Sequence, residues 1–281
     1  MPEELPQTTT RCGRTEFRWG ERTYIMGVCN LSPDSFSGDG LGDNIEALVA
    51  QAKRMVADGA DIIDIGGEST RPSAQPIPAK EELRRVIPAV TRLSKELTVP
   101  LSIDTYKSAV ASQAIEAGAS MINDVWGLKR DPEIARVAAE AGVPIVIMSN
   151  QQDTYLSRKS DIITEVISSL EQSISLAVKA GVAEENIIID PGIGFGKSVE
   201  QNLEIIRRLS ELKVLGYPVL LGTSRKFMRG RPFKQRLEAT AATVAIGIAN
   251  GADMVRVHDV RQMVQVCRMS DAIARRRRVD H

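Results

Sequence analysis

The chain has 281 residues, 43% of them hydrophobic, and its 36 basic side chains balance 36 acidic ones. This balance argues against a nucleic acid or a membrane surface as the main partner, so any charged ligand must be bound by a local cluster of residues. The sequence has neither the apolar core of a signal peptide near its start nor a run of about eighteen apolar residues that could span a bilayer, and we expect a cytoplasmic protein.

The first element that the sequence predicts is a short hairpin at residues 11–23, RCGRTEFRWGERT. Polar and apolar side chains alternate there around Gly20, as they do in a strand pair with one buried face. We expect this hairpin to plug the lower end of the fold that follows.

Eight short apolar runs rich in Ile and Val come after the hairpin. They occupy residues 24–30, 60–66, 100–105, 120–125, 144–149, 186–191, 218–223 and 254–259. Because these runs are nearly continuous rather than alternating, they are typical of parallel strands that are covered on both faces.

Segments with helical spacing lie between the predicted strands. NIEALVAQAKRMVADGA follows the first strand, and DPEIARVAAEAGV follows the fourth, with Asp131 as its predicted N-cap before Pro132. A glycine lies just past each of six helical runs, at Gly59, Gly118, Gly142, Gly181, Gly216 and Gly251. The repeated order of helix, glycine and strand, with no linker rich in Pro or Ser, predicts a single-domain (β/α)8 TIM barrel over about residues 24–275. A doubly wound open sheet is the alternative.

The cysteines and one arginine run receive structural interpretations. Cys12, Cys29 and Cys267 are widely spaced and form no CxxC pair, so they predict buried or incidental thiols rather than a disulfide framework or a zinc site. The run RRRR at 275–278 is interpreted as a solvated helix end rather than a binding patch.

Each predicted strand ends in polar residues, and the stretch DIGGESTRPSA that begins at Asp64 is the most abrupt case. The strand ends of a TIM barrel meet at one face, so the chain turns polar at the mouth of the barrel. One buried Asp could simply cap a helix or accept loop amides. Eight such ends together indicate a binding site, because an unpaired buried carboxylate is costly.

The polar residues at the mouth fall into two chemical classes. The first class consists of acceptors and donors suited to the edge of a polar planar heterocycle, namely Asp104, Asn123, Asp190 and Lys226. Each charge-assisted hydrogen bond of this kind contributes about 1.5–3 kcal/mol. Groups suited to an anion such as a diphosphate are Asn30, Thr70, Arg71, Arg256 and His258. DPGIGFGK at 190–197 contains GxGxGK but lacks the spacing of a P-loop or a dinucleotide fingerprint, and its glycines predict a tight loop that brings Phe195 and Lys197 near the mouth.

Seven stretches of the sequence together resemble the dihydropteroate synthase family of pterin-binding enzymes. They are MGVCNLSPDSFSGDG, DIIDIGGESTRP, LSIDTYKS, MINDVWG, IIIDPGIGFGK, GTSRK and RLEATAATVAIGIANGADMVRVHDV, in family order from about residue 24 to 275. This family joins 6-hydroxymethyl-7,8-dihydropterin diphosphate to p-aminobenzoate in folate biosynthesis. The resemblance implies a TIM-barrel transferase that uses Mg²⁺, forms a homodimer and can bind sulfonamide inhibitors.

The resemblance also implies roles for individual residues. The pterin pocket would be formed by Asp104, Asn123, Asp190 and Lys226 and lined by Met148, Phe195 and Gly222. Asn30 would help to bind Mg²⁺, and the pyrophosphate would be surrounded by Asn30, Thr70, Arg71, Arg256 and His258. The loops at 32–42, with Asp34 and Phe36, and at 68–74, with Thr70, Arg71 and Pro72, would close over the pyrophosphate and form the p-aminobenzoate site together with Ser224 and Lys226.

Asp104, Asp190 and Lys226 are the candidate catalytic residues. Departure of pyrophosphate leaves positive charge on the pterin, and fixed carboxylates favour that cation over the neutral ground state. Mg²⁺ and the basic residues would stabilise the leaving group. Since no Cys or Ser is paired with a base, we expect an SN1-like transfer without a covalent enzyme intermediate, and compulsory binding of the pterin before p-aminobenzoate.

Two features depart from the family pattern, and two other functions remain alternatives. Ser149 stands where family members commonly carry His after the Met of the fifth strand, and the first loop, SGDGLGDN, differs slightly from the usual glycine-rich form.

The alternatives are a pterin-binding methyltransferase relative and a catalytically silent pterin-binding paralogue. GESTRP and SRK argue against the methyltransferase, because they resemble the segments that handle p-aminobenzoate and pyrophosphate.

Overall fold

The computed structural model describes residues 9–31, 44–69, 75–152, 161–228 and 230–275, without the side chains of Phe233 and Lys234. Five residues with predicted roles or prominence lie outside these ranges, namely Asp34, Phe36, Thr70, Arg71 and Pro72. Their roles, and the interpretation of the tail beyond Arg275, stay predictions.

Eight parallel strands form the barrel. They are β3 (Tyr24–Asn30), β4 (Ile62–Gly66), β5 (Leu101–Asp104), β6 (Met121–Asp124), β7 (Ile145–Met148), β8 (Ile187–Asp190), β9 (Leu220–Leu221) and β10 (Met254–Val257). From β3 to β8 each strand pairs with the next in the chain, and β10 pairs with both β3 and β9. A single bridge between Ile189 and Val219 joins β8 to β9. This ring confirms the predicted barrel and excludes the open sheet.

Eight helices surround the strands within the described ranges. They are α1 (Ile45–Ala57), α2 (Ala79–Glu96), α3 (Ser108–Glu116), α4 (Glu133–Ala141), α5 (Ile162–Lys179), α6 (Val199–Arg207), α7 (Phe233–Ala249) and α8 (Val260–Ala274). The six glycines predicted at helix ends all have positive φ, as at Gly142, where φ is 63°. None of the described helices is long and apolar enough to cross a bilayer.

The prediction of Asp131 as the N-cap of α4 was wrong by one residue. Pro132 takes the capping position, and the helix begins at Glu133. The Asp131 carboxylate still accepts from the amide of Glu133 at 3.3 Å, but its shorter bond, 2.7 Å, is to the amide of Ser108 at the start of α3. Asp131 therefore joins two helix starts instead of capping one.

An apolar layer fills the lower part of the barrel. It consists of Met26, Ile62, Met121, Val146, Ile188, Leu220 and Met254. The hairpin of β1 (Thr9–Cys12) and β2 (Thr15–Arg18) covers this layer with Cys12, Phe17 and Trp19, which confirms the predicted plug. The hairpin itself was predicted correctly, but its turn lies at residues 13–14, so only the centre predicted at Gly20 was wrong. The plug closes the amino ends of the strands and leaves the carboxyl ends for ligands.

All three cysteines are buried and unpaired, as the sequence predicted. Burial raises the pKa of Cys12, Cys29 and Cys267 to about 12 in each case. They remain protonated near neutral pH and are unsuited to nucleophilic chemistry.

Candidate active site

The site begins one layer above the apolar layer of the barrel. Successive side chains of a strand point to opposite faces, so a residue two positions after an inward apolar residue also points inward. On four strands that residue is polar or charged: Asp64 on β4, Asn123 on β6, Asp190 on β8 and Arg256 on β10. The same spacing places Met148 on β7 and Gly222 after β9. Strand geometry thus gathers most of the predicted pterin residues.

Arg256 connects the carboxylates on one side of this layer. Its Nε donates to Asp64 Oδ2 and its Nη2 donates to Asp104 Oδ2, each at 2.6 Å. Asn123 Nδ2 also donates to Asp64 Oδ2, at 3.0 Å. One guanidinium therefore bridges the carboxylates of two strands.

Burial controls the ionisation of these residues. It raises the pKa of Asp104, an effect that Arg256 opposes and Asp64 reinforces. Burial alone would lower the pKa of Arg256, but Asp64 and Asp104 more than offset this and raise it. Oδ1 of Asp64 and Oδ1 of Asp104 are buried and accept no hydrogen bond within the described ranges. Because buried acceptors are rarely left unsatisfied, these atoms are suited to the N–H groups of a ligand.

The opposite side of the site is formed around Asp190, at the end of β8. Its Oδ1 accepts from the amide of Gly192 at 2.7 Å. Burial raises the pKa of Asp190, and Lys226 opposes the rise. Lys226 Nζ donates to the carbonyl of Ile193 at 2.7 Å and lies 4.6 Å from the centre of the Phe195 ring. This side therefore combines an acidic group, a basic group and an aromatic face.

Gly222 links the two sides. A Cβ on this glycine would lie 3.6 Å from Lys226 Nζ, 3.9 Å from Asp190 Oδ2 and 3.9 Å from Arg256 Cβ. Met148 and Phe195 pack with Val125 in a small buried apolar cluster beside them. A flat ligand could thus contact apolar groups with its face and charged groups with its edge.

A basic region adjoins this pocket at the ends of β9 and β10. Ser224 Oγ lies 2.9 Å from His258 Nδ1 and accepts from the His258 amide at 3.2 Å, so the expectation that no Ser is paired with a base was wrong. Burial, followed by the charges of Arg225, Arg256 and Lys226, lowers the pKa of His258 well below its usual value. His258 is thus a neutral imidazole near three basic side chains, a setting that is suited to an anion.

Asn30, the predicted metal ligand, lies at the end of β3. Its Oδ1 would be 3.2 Å from a Cβ on Gly66, and the Asp104 side chain is the next neighbour of that position. No group of three His, Cys, Asp or Glu within the described ranges is arranged to hold a metal ion. Mg²⁺ commonly takes one or two protein oxygens and completes its shell with water and substrate phosphate, so a single amide oxygen beside the pocket fits that pattern.

Asp64 and Lys197 have contacts that the sequence did not predict. Asp64 lies inside the barrel, fully buried, rather than at the mouth. Lys197 Nζ donates to the carbonyls of Ser149, Gly192 and Phe195 at 2.7, 3.1 and 3.4 Å, and burial lowers the pKa of Lys197 to about 7. The inward spacing from Ile62 was the available signal for Asp64, whereas nothing in the sequence indicated the three carbonyls.

Comparison with known proteins agrees with this geometry. Residues 26–258 match the family described as pterin binding enzyme. Dihydropteroate synthase from Bacillus subtilis is 50% identical over 93% of this chain and 92% of its own length. The enzyme of the same name from Clostridium beijerinckii is 49% identical over 95% of this chain and 100% of its length.

The chain belongs to the dihydropteroate synthase family.

Solved structures of this family show the same fold. The Clostridium difficile dihydropteroate synthase in the presence of pteroic acid superposes with a TM-score of 0.85 and 49% identity, covering 92% of this chain and 98% of that one. The Xanthomonas albilineans enzyme with 4-aminobenzoic acid has a TM-score of 0.87 and 40% identity, covering 95% and 98%. A Yersinia pestis enzyme in a sulfonamide complex has a TM-score of 0.89 and 35% identity, covering 96% and 100%. The predicted family is therefore confirmed.

Proposed function

We propose that this chain condenses 6-hydroxymethyl-7,8-dihydropterin diphosphate with p-aminobenzoate, giving 7,8-dihydropteroate and pyrophosphate in folate biosynthesis. The observation that carries the proposal is the division of one barrel mouth into two parts. Buried carboxylates at Asp104 and Asp190 lie at the strand ends together with the apolar cluster of Met148 and Phe195, and the region of Ser224 and His258 adjoins them. A substrate with a polar heterocycle and a diphosphate matches both parts.

The pterin would lie with its polar edge toward the carboxylates. Asp104 Oδ1 and the second oxygen of Asp190 would accept its N–H groups, while Lys226 and Asn123 supply donors. Phe195 and Met148 would contact the ring face. Hydrogen bonds within the protein already hold the side chains of this site in position, so binding of the pterin needs little reorganisation.

The chemical step would be SN1-like. As the C–O bond to the diphosphate breaks, the pterin methylene becomes electron-poor and the charge spreads into the ring. Asp104 and Asp190 stabilise that charge more than they stabilise the neutral substrate, because it exists only after the bond has begun to break. The arylamine nitrogen then attacks the methylene and loses a proton to solvent, and pyrophosphate carries away the electron pair of the broken bond.

Asn30 would hold Mg²⁺ through its amide oxygen, and Mg²⁺ supplies charge neutralisation of the departing pyrophosphate when bound. His258 and Arg256 would contact the same anion together with Thr70 and Arg71. Arg256 is held in the structure by Asp64 and Asp104, so its contact with the anion also connects the leaving group to the pterin pocket.

The p-aminobenzoate site would use Ser224, with Phe36, Thr70, Arg71 and Pro72 from the two predicted loops. We propose that p-aminobenzoate binds only after the pterin and pyrophosphate, and that sulfonamides compete with it. Calorimetry tests the order, because p-aminobenzoate alone should give no measurable heat of binding, whereas pterin, pyrophosphate and Mg²⁺ together should switch binding on. Tight binding to the ligand-free protein would overturn this order.

We also propose a cytoplasmic homodimer of a single pterin-binding domain. Apolar side chains that are about half exposed or more lie on neighbouring helices, at Val199 and Leu203 of α6, Ile246 of α7, and Met269 and Ile273 of α8. An exposed apolar surface of this kind is suited to a second copy of the chain. Sedimentation equilibrium should give a dimer for the wild type and a larger fraction of monomer for Ile273→Lys.

Steady-state release of pyrophosphate tests the proposed reaction. Release from dihydropterin diphosphate should require p-aminobenzoate and Mg²⁺ and should accompany dihydropteroate formation. A methyltransferase relative or a silent paralogue would bind the pterin and release no pyrophosphate.

A further inference from the structure

The strand that leads to Ser224 and Lys226 has the weakest pairing of the barrel. β9 contains two residues and pairs with β10 only at Leu220 and Leu221. On its other side a single bridge joins Val219 to β8. Backbone hydrogen bonds of a sheet therefore do not fix the position of the residues that follow β9, although two of them have predicted roles in the site.

Side-chain contacts fix this segment instead. The Arg225 amide donates to Thr240 Oγ1 at 3.0 Å, and Thr243 Oγ1 donates to Thr223 Oγ1 at 2.9 Å, so α7 supports the segment from outside. Arg225 has a φ of 60°, a left-handed conformation that is uncommon for a residue other than glycine. The backbone turns there, and the residues on either side of Arg225 point toward the site while Arg225 points away from it.

The Arg225 side chain crosses to the end of β10. Its Nε donates to Asp259 Oδ2 at 2.9 Å and its Nη2 donates to Asp259 Oδ1 at 2.6 Å. Both side chains are buried, with 7% and 9% of their surface exposed. Asp259 occupies the N-cap position of α8 but makes no capping hydrogen bond with its side chain. Because Asp at this position normally caps the helix, its carboxylate is directed to Arg225 instead.

We propose that Arg225 and Asp259 form a clamp that sets the distance between the ends of β9 and β10. Arg225 is a positioning residue: through Asp259 it holds Ser224 against His258 and directs Lys226 toward Asp190 and Phe195. The planar guanidinium fixes two bonds at once and therefore orientation as well as distance, which the single charge of a lysine cannot do. This inference rests on the proposed function and adds two residues to the machinery for the p-aminobenzoate and pyrophosphate end of the reaction.

The test compares the clamp with a matched ion pair at the other end of the barrel. Arg22 and Asp61 also form a two-bond pair, from Nη1 and Nη2 at 2.9 and 2.6 Å, near the hairpin plug. Arg225→Lys and Asp259→Asn are measured beside Arg22→Lys and Asp61→Asn, and thermal unfolding is recorded for all four. The mild substitutions keep volume and polarity, so that the clamp variants can fold.

The clamp variants should raise KM for p-aminobenzoate and the inhibition constant of pyrophosphate by about 10- to 100-fold, because small misplacements of contacting groups have effects of that size. The control variants should leave both constants within about twofold of the wild type at an equal loss of Tm. Clamp variants that lose Tm but keep both constants would show that the pair serves stability alone and would overturn the proposal.

A second readout does not depend on turnover. The chain has two histidines, so the His258 imidazole signals can be assigned by NMR with His258→Asn as reference. Asp259→Asn should shift these signals and Asp61→Asn should not; equal spectra of Asp259→Asn and the wild type would contradict the clamp. If the wild type releases no pyrophosphate, the proposed function fails, and the NMR comparison alone decides the clamp.

Discussion

Replacing Asp104 by Asn should lower kcat far more than it weakens pterin binding. The substitution keeps the shape and one carbonyl oxygen but removes the negative charge that Asp104 carries when ionised; burial raises the pKa of Asp104 to about 7, so the comparison is made above that pH. A charge about 5 Å from the developing pterin cation contributes about 3 kcal/mol at an effective dielectric constant of about 20, which corresponds to a loss of about two orders of magnitude in kcat. In the ground state the variant loses a hydrogen bond of about 0.5–1.5 kcal/mol, so Kd for the pterin should rise by about tenfold at most.

Asp124→Asn is the matched control. Asp124 is also fully buried, and burial raises the pKa of Asp124 to about 6, but its carboxylate accepts from the amides of Trp126 and Leu128 in the following loop. The control should lose stability and keep kcat. Single-turnover rates measured by rapid quench give kcat for the chemical step, and calorimetry with unreactive pterin gives Kd. If Asp104→Asn raises Kd and lowers kcat/KM equally while kcat stays unchanged, Asp104 does not stabilise the cation.

Three further predictions concern the basic region and the loop after β8. His258→Ala should weaken binding of the diphosphate-bearing pterin by about tenfold and leave unphosphorylated pterin nearly unchanged; equal losses in calorimetry would place His258 elsewhere. Gly192→Ala should destabilise the protein by more than about 2 kcal/mol in urea unfolding, since its φ is +71° and the new Cβ would lie 2.2 Å from the Ser149 carbonyl oxygen. The control Gly216→Ala, also at positive φ but with open space around it, should destabilise the protein by about 1 kcal/mol. Burial lowers the pKa of Lys197 to about 7, so the unfolded chain binds the proton of this side chain more tightly than the folded protein does. The free energy of unfolding of the wild type, relative to that of Lys197→Met, should therefore rise as pH increases from about 7 toward 10.5. A difference independent of pH would mean that Lys197 is not buried as the structure shows.

The sequence predicted the barrel because each strand, helix and helix-ending glycine carries its own local signal. The two errors in local structure arose where neighbouring residues offered equivalent signals. Gly13 and Gly20 both have positive φ, and only the pairing of Cys12 with Thr15 shows that the chain reverses at the first glycine, while Trp19, whose indole donates to Thr10 Oγ1, follows the second strand. That contact lies between side chains brought together by the hairpin itself.

The sequence could predict which residues lie together at the candidate site, but not how they are paired. Inward spacing along each strand places Asp64, Asn123, Asp190 and Arg256 in one layer, and this spacing can be counted in the sequence. Which carboxylate faces Arg256 depends on the stagger of eight strands around the barrel, since Asp64 lies 192 positions away along the chain. The sequence carries no local record of that stagger, so the connection between the proposed pterin and pyrophosphate parts of the site can be seen only in the fold.

A single-turnover experiment with excess enzyme tests the central claim most directly. Dihydropterin diphosphate is mixed with enzyme, p-aminobenzoate and Mg²⁺, and dihydropteroate and pyrophosphate are quantified in the same quenched samples. The account predicts that both products appear in equal amounts, and that omission of p-aminobenzoate abolishes dihydropteroate. Binding of the pterin without formation of dihydropteroate in the complete mixture would contradict the account.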